Sequence, residues 1–233
     1  MKEQIKNIVE KAKQGPAWLR AGVAAIPWAG GALDHLLFDK AGEIRMKNVE
    51  QAIDDMKDCL GNIMEEKVSK DWFESEEALD MFKNLLIKIE FEGDKAKIKT
   101  LSNVYCLFGT NEHKDDPNKN AVLESLSRLT TKQRILLMVV GKVPQRQKTS
   151  EGSLITTTAT AIWKSDIIAY CQSNPSIRQL LTQGGGNTDL NIELDFLVSL
   201  NLLRLVNVLN IKDTGYYISS LGKLAIGYLN EAV

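Results

Sequence analysis

The chain has little of the chemistry from which metal centres and nucleophilic sites are usually built. Its 233 residues include only two histidines, His35 and His113. Neither has a cysteine or a second histidine at the spacing of zinc or haem ligands, and no Glu-x-x-His motif exists for a di-iron bundle. We therefore expect no metal site and no cofactor.

Cysteines are few as well. Cys59, Cys106 and Cys171 lie far apart in the sequence and are odd in number. Each stands among apolar neighbours, where a free cysteine behaves as a small hydrophobic residue. We expect reduced, buried thiols and a cytoplasmic location, because disulfides belong mainly to oxidising compartments. A Cys–His nucleophile pair that forms only in space stays open.

Long apolar runs and a basic stripe are also missing. The first uncharged run, Ala21 to Leu33, has 13 residues, and a bilayer crossing needs about 20. Lys and Arg number 29 against 30 Asp and Glu; residues 1–128 carry a formal charge of −4 and residues 129–233 one of +3. Neither half has the concentrated positive charge typical of a nucleic-acid-binding surface.

Acidic residues come in groups along the first half. They lie opposite the apolar positions of their helices, so we interpret them as solvated faces and not as paired catalytic carboxylates. The triple glycine 184–186 lacks the Lys-Ser/Thr of a phosphate-binding loop. No catalytic residue is assigned, and we expect no enzyme. The acidic groups are Asp54, Asp55 and Asp58; Glu65 and Glu66; and Glu74, Glu76 and Glu77.

What the first half does have is helical periodicity. Apolar residues from Met46 to Ile63 recur at alternating intervals of three and four, the pattern of a helix packed against others. Ser75 and Asp94 precede two further amphipathic runs and are predicted N-caps. The fold class we predict is mainly α, with an all-α helical bundle domain over residues 1–128.

Residues 129–233 predict a second, winged-helix-like α+β domain. Thr130-x-x-Gln133 has the form of a capping box and opens its first helix. Ser165 is the predicted N-cap of a later helix that ends at Asn174-Pro175. The order of elements is helix, strand, two helices, hairpin and helix, which is that of a winged helix. The predicted segments are a strand over 154–161, helices after 165 and over 189–202, strands over 203–209 and 216–219, and a helix from 220.

The helix that would enter a DNA groove is acidic. It carries Asp189, Glu193 and Asp195, with no Lys or Arg before Arg204. Like charge repels phosphate at close range, and base reading needs donors such as arginine. We therefore expect the domain to dock onto a protein partner. The alternative is a DNA-binding transcriptional regulator.

A cationic loop is the best candidate for phosphate contact if the protein is a DNA-binding regulator. It runs from Lys142 to Lys148 and includes Arg146. Its simpler interpretation is a solvated, flexible loop, and its phosphate role is a hypothesis.

The N-terminal segment from residue 18 to 38 has the oddest local composition. It contains Trp18, Trp28, Leu37 and Phe38, interrupted by Pro27. One interpretation is the core of the helical domain. The other is an amphipathic element that leaves the core to bind a partner or a membrane interface. The uncharged run is too short to span a bilayer, so any membrane contact would be peripheral.

Several of these features together resemble bacterial abortive-infection proteins of the Abi-alpha type. The resemblance rests on Pro27-x-x-Gly30-Gly31 in an apolar segment and on the Glu/Lys-rich helix after it. Further pieces are Leu123-x-x-Leu126-x-x-Leu129-Thr130 running into Gln133-x-x-Leu136-Leu137, and Ser220-Leu221-Gly222-Lys223 in the Leu-rich C-terminal domain. It would cover most of the chain and implies a cytoplasmic sensor or effector of phage exclusion, with no catalytic residues to transfer.

Overall fold

The computed structural model describes residues 40–149, 158–182, 186–206, 211 and 213–232. Two compact units divide the chain: Met1–Ser127 with Glu231–Val233, and Arg128–Asn230. The described residues are mainly helical, with ten α-helices and one four-stranded antiparallel sheet, and every strand follows residue 145. The predicted mainly helical class is therefore confirmed.

The first unit is helical throughout its described part, and its helix starts were predictable. The Ser75 hydroxyl accepts a hydrogen bond from the Ala78 amide at 3.2 Å, and the Asp94 carboxylate accepts one from the Ala96 amide at 2.9 Å, so both predicted N-caps are confirmed. The helices are α1 (Lys40–Asn62), a 3₁₀ turn (Glu65–Lys67), α2 (Lys70–Phe73), α3 (Glu76–Glu90), α4 (Lys95–Phe108) and α5 (Lys119–Arg128).

An aromatic cluster forms the centre of this unit. The Tyr105 ring lies 5.7 Å from that of Trp72, 6.0 Å from that of Phe73 and 5.6 Å from that of Phe82, between centroids. Its hydroxyl donates to the Ala78 carbonyl oxygen at 3.1 Å, and the Trp72 indole donates to the Glu77 carboxylate at 2.9 Å, so both polar atoms of these rings have partners. The cluster therefore links α2, α3 and α4.

Helix α1 packs its predicted apolar face against α3 and α4. Val49, Ile53 and Met56 are buried, as the three-four spacing predicts, whereas Met46 and Leu60 near its ends are only half-buried. The contact of α1 with α4 is the most extensive between two helices in the described residues.

The second unit combines helices with the sheet, whose strand order is β1-β2-β4-β3. The predicted capping box is confirmed. The backbone amide of Gln133 donates to the Thr130 hydroxyl at 3.2 Å, and the Gln133 side-chain oxygen accepts from the Thr130 backbone amide at 2.9 Å. Its elements are α6 (Thr131–Lys142), β1 (Arg146–Thr149), β2 (Thr158–Trp163), α7 (Lys164–Ser173), α8 (Pro175–Thr182), α9 (Gly186–Ser199), β3 (Leu203–Val206), β4 (Gly215–Ile218) and α10 (Ser220–Glu231).

Two local predictions in this unit are wrong. The predicted cationic loop contains a strand, β1, which pairs with β2 from Arg146 opposite Ala161 to Thr149 opposite Thr158. Ser165 is not an N-cap, because helix α7 already begins at Lys164 and the side chain at its cap position, Trp163, accepts no hydrogen bond from the helix amides. The Ser165 hydroxyl bonds to a carboxylate far along the chain.

The junction between α9 and the β3–β4 hairpin is fixed by close backbone contacts. Asn201 adopts the left-handed region, with φ of 56°, and the Leu202 amide returns to the Leu197 carbonyl oxygen at 3.0 Å. Gly222 lies so close that a Cβ there would be 2.0 Å from the Leu202 carbonyl oxygen. These contacts hold the start of α10 against the end of α9.

Gly109 gives a test of packing in the aromatic cluster. A Cβ at this position would lie 2.1 Å from the buried Phe73 ring, so Gly109→Ala should lower the free energy of unfolding by about 1–3 kcal/mol. Gly61→Ala is the matched control, because no atom lies within 4 Å of its added Cβ; we expect a neutral change or a gain of up to about 1 kcal/mol. Urea unfolding followed by circular dichroism measures both, and equal effects would contradict the packing account.

Candidate functional site

The apolar residues proposed for partner or membrane contact lie outside the described residues. This applies to Trp18, Trp28, Leu37 and Phe38, and also to His35. Among the described residues, no helix is both long enough and apolar enough to cross a membrane.

The three cations proposed for phosphate contact have different surroundings. Lys142 is exposed at the end of α6. The Arg146 guanidinium lies 3.6 Å from an Asp166 carboxylate oxygen, and the Lys148 ammonium lies 2.6 Å from an oxygen of Asp213. Two of the three predicted phosphate contacts are thus ion-paired to carboxylates of their own unit.

The Lys148 cluster is made of Lys148, Ser165 and Asp213. The Ser165 hydroxyl donates to the Asp213 carboxylate at 2.6 Å and accepts from the Lys148 ammonium at 3.0 Å. Partial burial would raise the pKa of Asp213, but the hydrogen bonds from Lys148 and Ser165 outweigh burial and hold that pKa below its ordinary value. Asp213 is therefore an ionised acceptor that ties the β3–β4 turn to β1 and α7.

The same cluster is unsuited to nucleophilic catalysis despite its residue types. A lysine can activate a serine only when it is neutral, whereas Lys148 is paired with the carboxylate of Asp213. Trp163 packs against the cluster. Its indole donates to the Arg146 carbonyl oxygen at 2.6 Å, and the Lys148 ammonium lies 5.0 Å from its ring centroid. The arrangement fixes strands and a helix terminus.

Helix α9 is less acidic at its surface than its sequence suggested. The Glu193 carboxylate accepts a hydrogen bond from the side-chain amide of Gln133 at 2.7 Å and lies 3.8 Å from the Lys132 ammonium, so it links α9 to α6. Asp195 is exposed, and Ile192 exposes 63% of its surface. The side chain of Asp189 lies outside the described part of the chain.

A polar cavity of about 610 Å³ lies beside α1 and α4 in the first unit, and we name it the α1–α4 pocket. Asp55 is its most unusual residue, being only 7% exposed. One carboxylate oxygen accepts from the Gln51 amide at 3.0 Å, and the other has no hydrogen-bond partner among the described residues. The pocket is lined by Asp55, Lys57, Asp58, Cys59, Gly61, Asn62, Lys99 and Asn103.

The predicted solvated face is therefore wrong at Asp55. Its position on α1 turns it toward the packed side of the helix, where it loses hydration while its neighbour Asp58 stays exposed. Burial raises the pKa of Asp55 above its ordinary value of 3.8, and the hydrogen bond from Gln51 only partly offsets that.

Two cysteines that the sequence separates by 47 positions meet at the edge of this pocket. Cys59 is half-buried on α1 and Cys106 is fully buried on α4, and each thiol donates to a carbonyl oxygen of the other helix: Cys59 to Asn103 at 4.0 Å and Cys106 to Met56 at 3.6 Å. Cys171, in the second unit, is buried as predicted. The prediction of burial is therefore wrong for Cys59 alone. In the described residues, no group of three His, Cys, Asp or Glu could hold a metal ion.

Comparison of the chain with protein-family models, with curated proteins and with solved structures gave no match.

Asp55 gives a pH-dependent prediction. Because its folded-state pKa is raised, ionising it disfavours the fold, and this cost grows as pH rises through and above 3.8. Asp55→Asn should therefore increase the free energy of unfolding at about pH 7, by about 1 kcal/mol, and the gain should shrink toward pH 3.8.

Chemical denaturation over a pH series measures this difference. Asp58→Asn changes an exposed carboxylate of the same helix and should alter stability by less than about 0.5 kcal/mol. If Asp55→Asn were less stable than wild type at neutral pH, the ionised carboxylate would have to stabilise the folded state, contrary to this prediction.

Proposed function

We propose that the second unit is a winged-helix module and that it docks onto a protein. Its order of elements supports this: α6, the strand β2, helices α7 to α9, the β3–β4 hairpin and α10. In the sheet, β4 lies between β2 and β3, so the hairpin is joined to the strand that precedes the helices. Helix α9 directly precedes the hairpin and takes the place of the recognition helix. The strand β1 is an addition at the outer edge of β2.

The observation that carries the preference for protein is the internal pairing of the cations. A DNA-binding surface gains affinity by neutralising phosphates with Lys and Arg. In this unit Arg146 is paired with Asp166 and Lys148 with Asp213, so each would have to leave a carboxylate to reach a phosphate. Such an exchange gives little net electrostatic gain.

The exposed side of α9 supports docking by apolar contact. Ile192 lies on this helix with most of its surface in solvent, where a DNA-reading helix would carry a polar side chain. Asp195 is exposed one turn later and repels phosphate. An apolar side chain with polar neighbours is the usual composition of a protein-binding patch.

The alternative function is that of a DNA-binding regulator, and one observation favours it. Arg204 on β3 stands opposite Tyr217 on β4, and both are exposed on the hairpin that would form the wing. Together with exposed Lys142 they are candidates for phosphate contact.

A gel-shift assay at low salt separates the two functions. The wild-type protein should show no sub-micromolar, salt-sensitive binding to duplex DNA. Releasing the two cations with Asp166→Asn and Asp213→Asn together should raise low-salt affinity about tenfold. Asp54→Asn with Asp58→Asn makes the same charge change in the first unit and should raise it less. Tight wild-type binding that falls on Arg146→Gln and Lys148→Gln would establish the DNA-binding alternative.

Docking itself is tested by affinity capture with matched isoleucine variants. A bound partner should be recovered with wild-type protein and lost with Ile192→Asp. Ile44→Asp alters a similarly exposed isoleucine, 59% against 63%, in the other unit and should leave recovery unchanged. Equal recovery of the partner with both variants would show that Ile192 is not part of the docking surface.

The wider role we propose is that of a non-enzymatic, cytoplasmic sensor or effector in bacterial phage defence. Support comes from the resemblance to abortive-infection proteins. A plaque assay in a bacterium expressing the chain tests it, and we expect at least about a tenfold fall in phage plating that Ile192→Asp abolishes. Unchanged plating over a diverse phage panel would contradict the defence role.

A further inference from the structure

We propose that Cys59 and Cys106 are a peroxide-sensitive thiol pair whose oxidation forms a disulfide between α1 and α4. This modification site lies in the first unit and goes beyond the proposed docking function of the second. It rests on the positions of the two sulfurs, on their unequal burial and on the pocket beside them.

The two thiols are placed reciprocally. The Cys59 sulfur lies 4.0 Å from the carbonyl oxygen of Asn103, which comes three residues before Cys106 on α4. The Cys106 sulfur lies 3.6 Å from the carbonyl oxygen of Met56, which comes three residues before Cys59 on α1. Each sulfur therefore reaches into the turn that carries the other. A change of side-chain rotamer that brings the two sulfurs to bonding distance, about 2 Å, would join α1 to α4 by a disulfide.

Access is unequal, which sets the order of the steps. Cys59 is half-buried and lines the α1–α4 pocket, whereas Cys106 is fully buried behind it. Interaction with the neighbouring Cys106 thiol lowers the pKa of Cys59, and burial raises the pKa of Cys106. Cys59 is thus the reactive thiol and Cys106 the resolving one.

The pocket is suited to a small neutral oxidant. Its cavity of about 610 Å³ has ample room for hydrogen peroxide. The formal charges of Lys57 and Lys99 are balanced by those of Asp55 and Asp58, so an uncharged molecule enters without an electrostatic barrier.

The chemistry balances with peroxide as the only co-reactant. The Cys59 thiolate attacks one peroxide oxygen, the O–O bond breaks, and hydroxide leaves and takes up the thiol proton as water. Cys59 is then a sulfenic acid. The Cys106 sulfur attacks the Cys59 sulfur, the S–O bond breaks, and the hydroxyl leaves with the Cys106 proton as a second water. Two thiols lose two electrons in all, and one peroxide is reduced to two waters.

Peptide mapping of the full-length protein tests the proposal. After treatment with hydrogen peroxide and digestion without reductant, we expect a peptide that joins Cys59 to Cys106 and that dithiothreitol separates. Cys171 should remain reduced, because it is buried and burial raises its pKa. Before oxidation, iodoacetamide should label Cys59 at least about tenfold faster than Cys171.

Three variants assign the roles. Cys171→Ser should leave the cross-link intact, and Cys59→Ser should abolish it. Cys106→Ser should leave Cys59 as a sulfenic acid that dimedone traps; Cys106→Ala repeats this measurement if the serine variant unfolds. No intramolecular cross-link in the wild-type protein, or equal oxidation of Cys59 and Cys171, would overturn the proposal. Neither result depends on any variant being folded or on the docking function.

Discussion

The packing of α1 against α4 is the contact on which the rest of the first unit depends. It buries the apolar face of α1 at Val49, Ile53 and Met56 and places α4, with Tyr105, in the aromatic cluster. Close packing leaves little room for rearrangement, so polar residues at its edge are held where they fall. Asp55 is desolvated there and Cys59 meets Cys106. The pocket is a consequence of where this contact ends.

In the second unit the corresponding constraint is electrostatic. The cationic segment from Lys142 to Lys148 was the candidate for phosphate contact, but the strand β1 brings Arg146 and Lys148 within reach of Asp166 and Asp213. These pairs are partly exposed, so each contributes modestly to stability. We propose that their larger effect is on recognition, because a cation already paired with a carboxylate gains less electrostatic energy on binding a phosphate.

Features that depend on neighbouring residues were predictable from the sequence. The caps at Ser75 and Asp94 and the capping box at Thr130 each follow from side chains two or three residues from the amides they bind. The three-four spacing likewise predicted which face of α1 is buried. Such features are local, and the structure realises them with little influence from the rest of the chain.

The features that were missed all depend on distant partners. Ser165 has the local sequence of an N-cap, but its hydroxyl donates to the carboxylate of Asp213, 48 residues away. The strand at Arg146 has no alternation of apolar residues and exists because β2 pairs with it. No sequence signal places Cys59 beside Cys106, since that depends on how two helices cross; an apolar position on each helix is the only hint.

Leu202 joins three elements at one residue, and this has a consequence for how the chain can change over evolution. Its amide closes the end of α9, and its carbonyl oxygen accepts from Ser219 and faces Gly222 at the start of α10. Both ends of the hairpin are thereby anchored at its root, while Asp213 anchors the far side. A change of backbone position at Leu202 or Gly222 would therefore disturb α9, the hairpin and α10 together, so we expect these two positions to vary least.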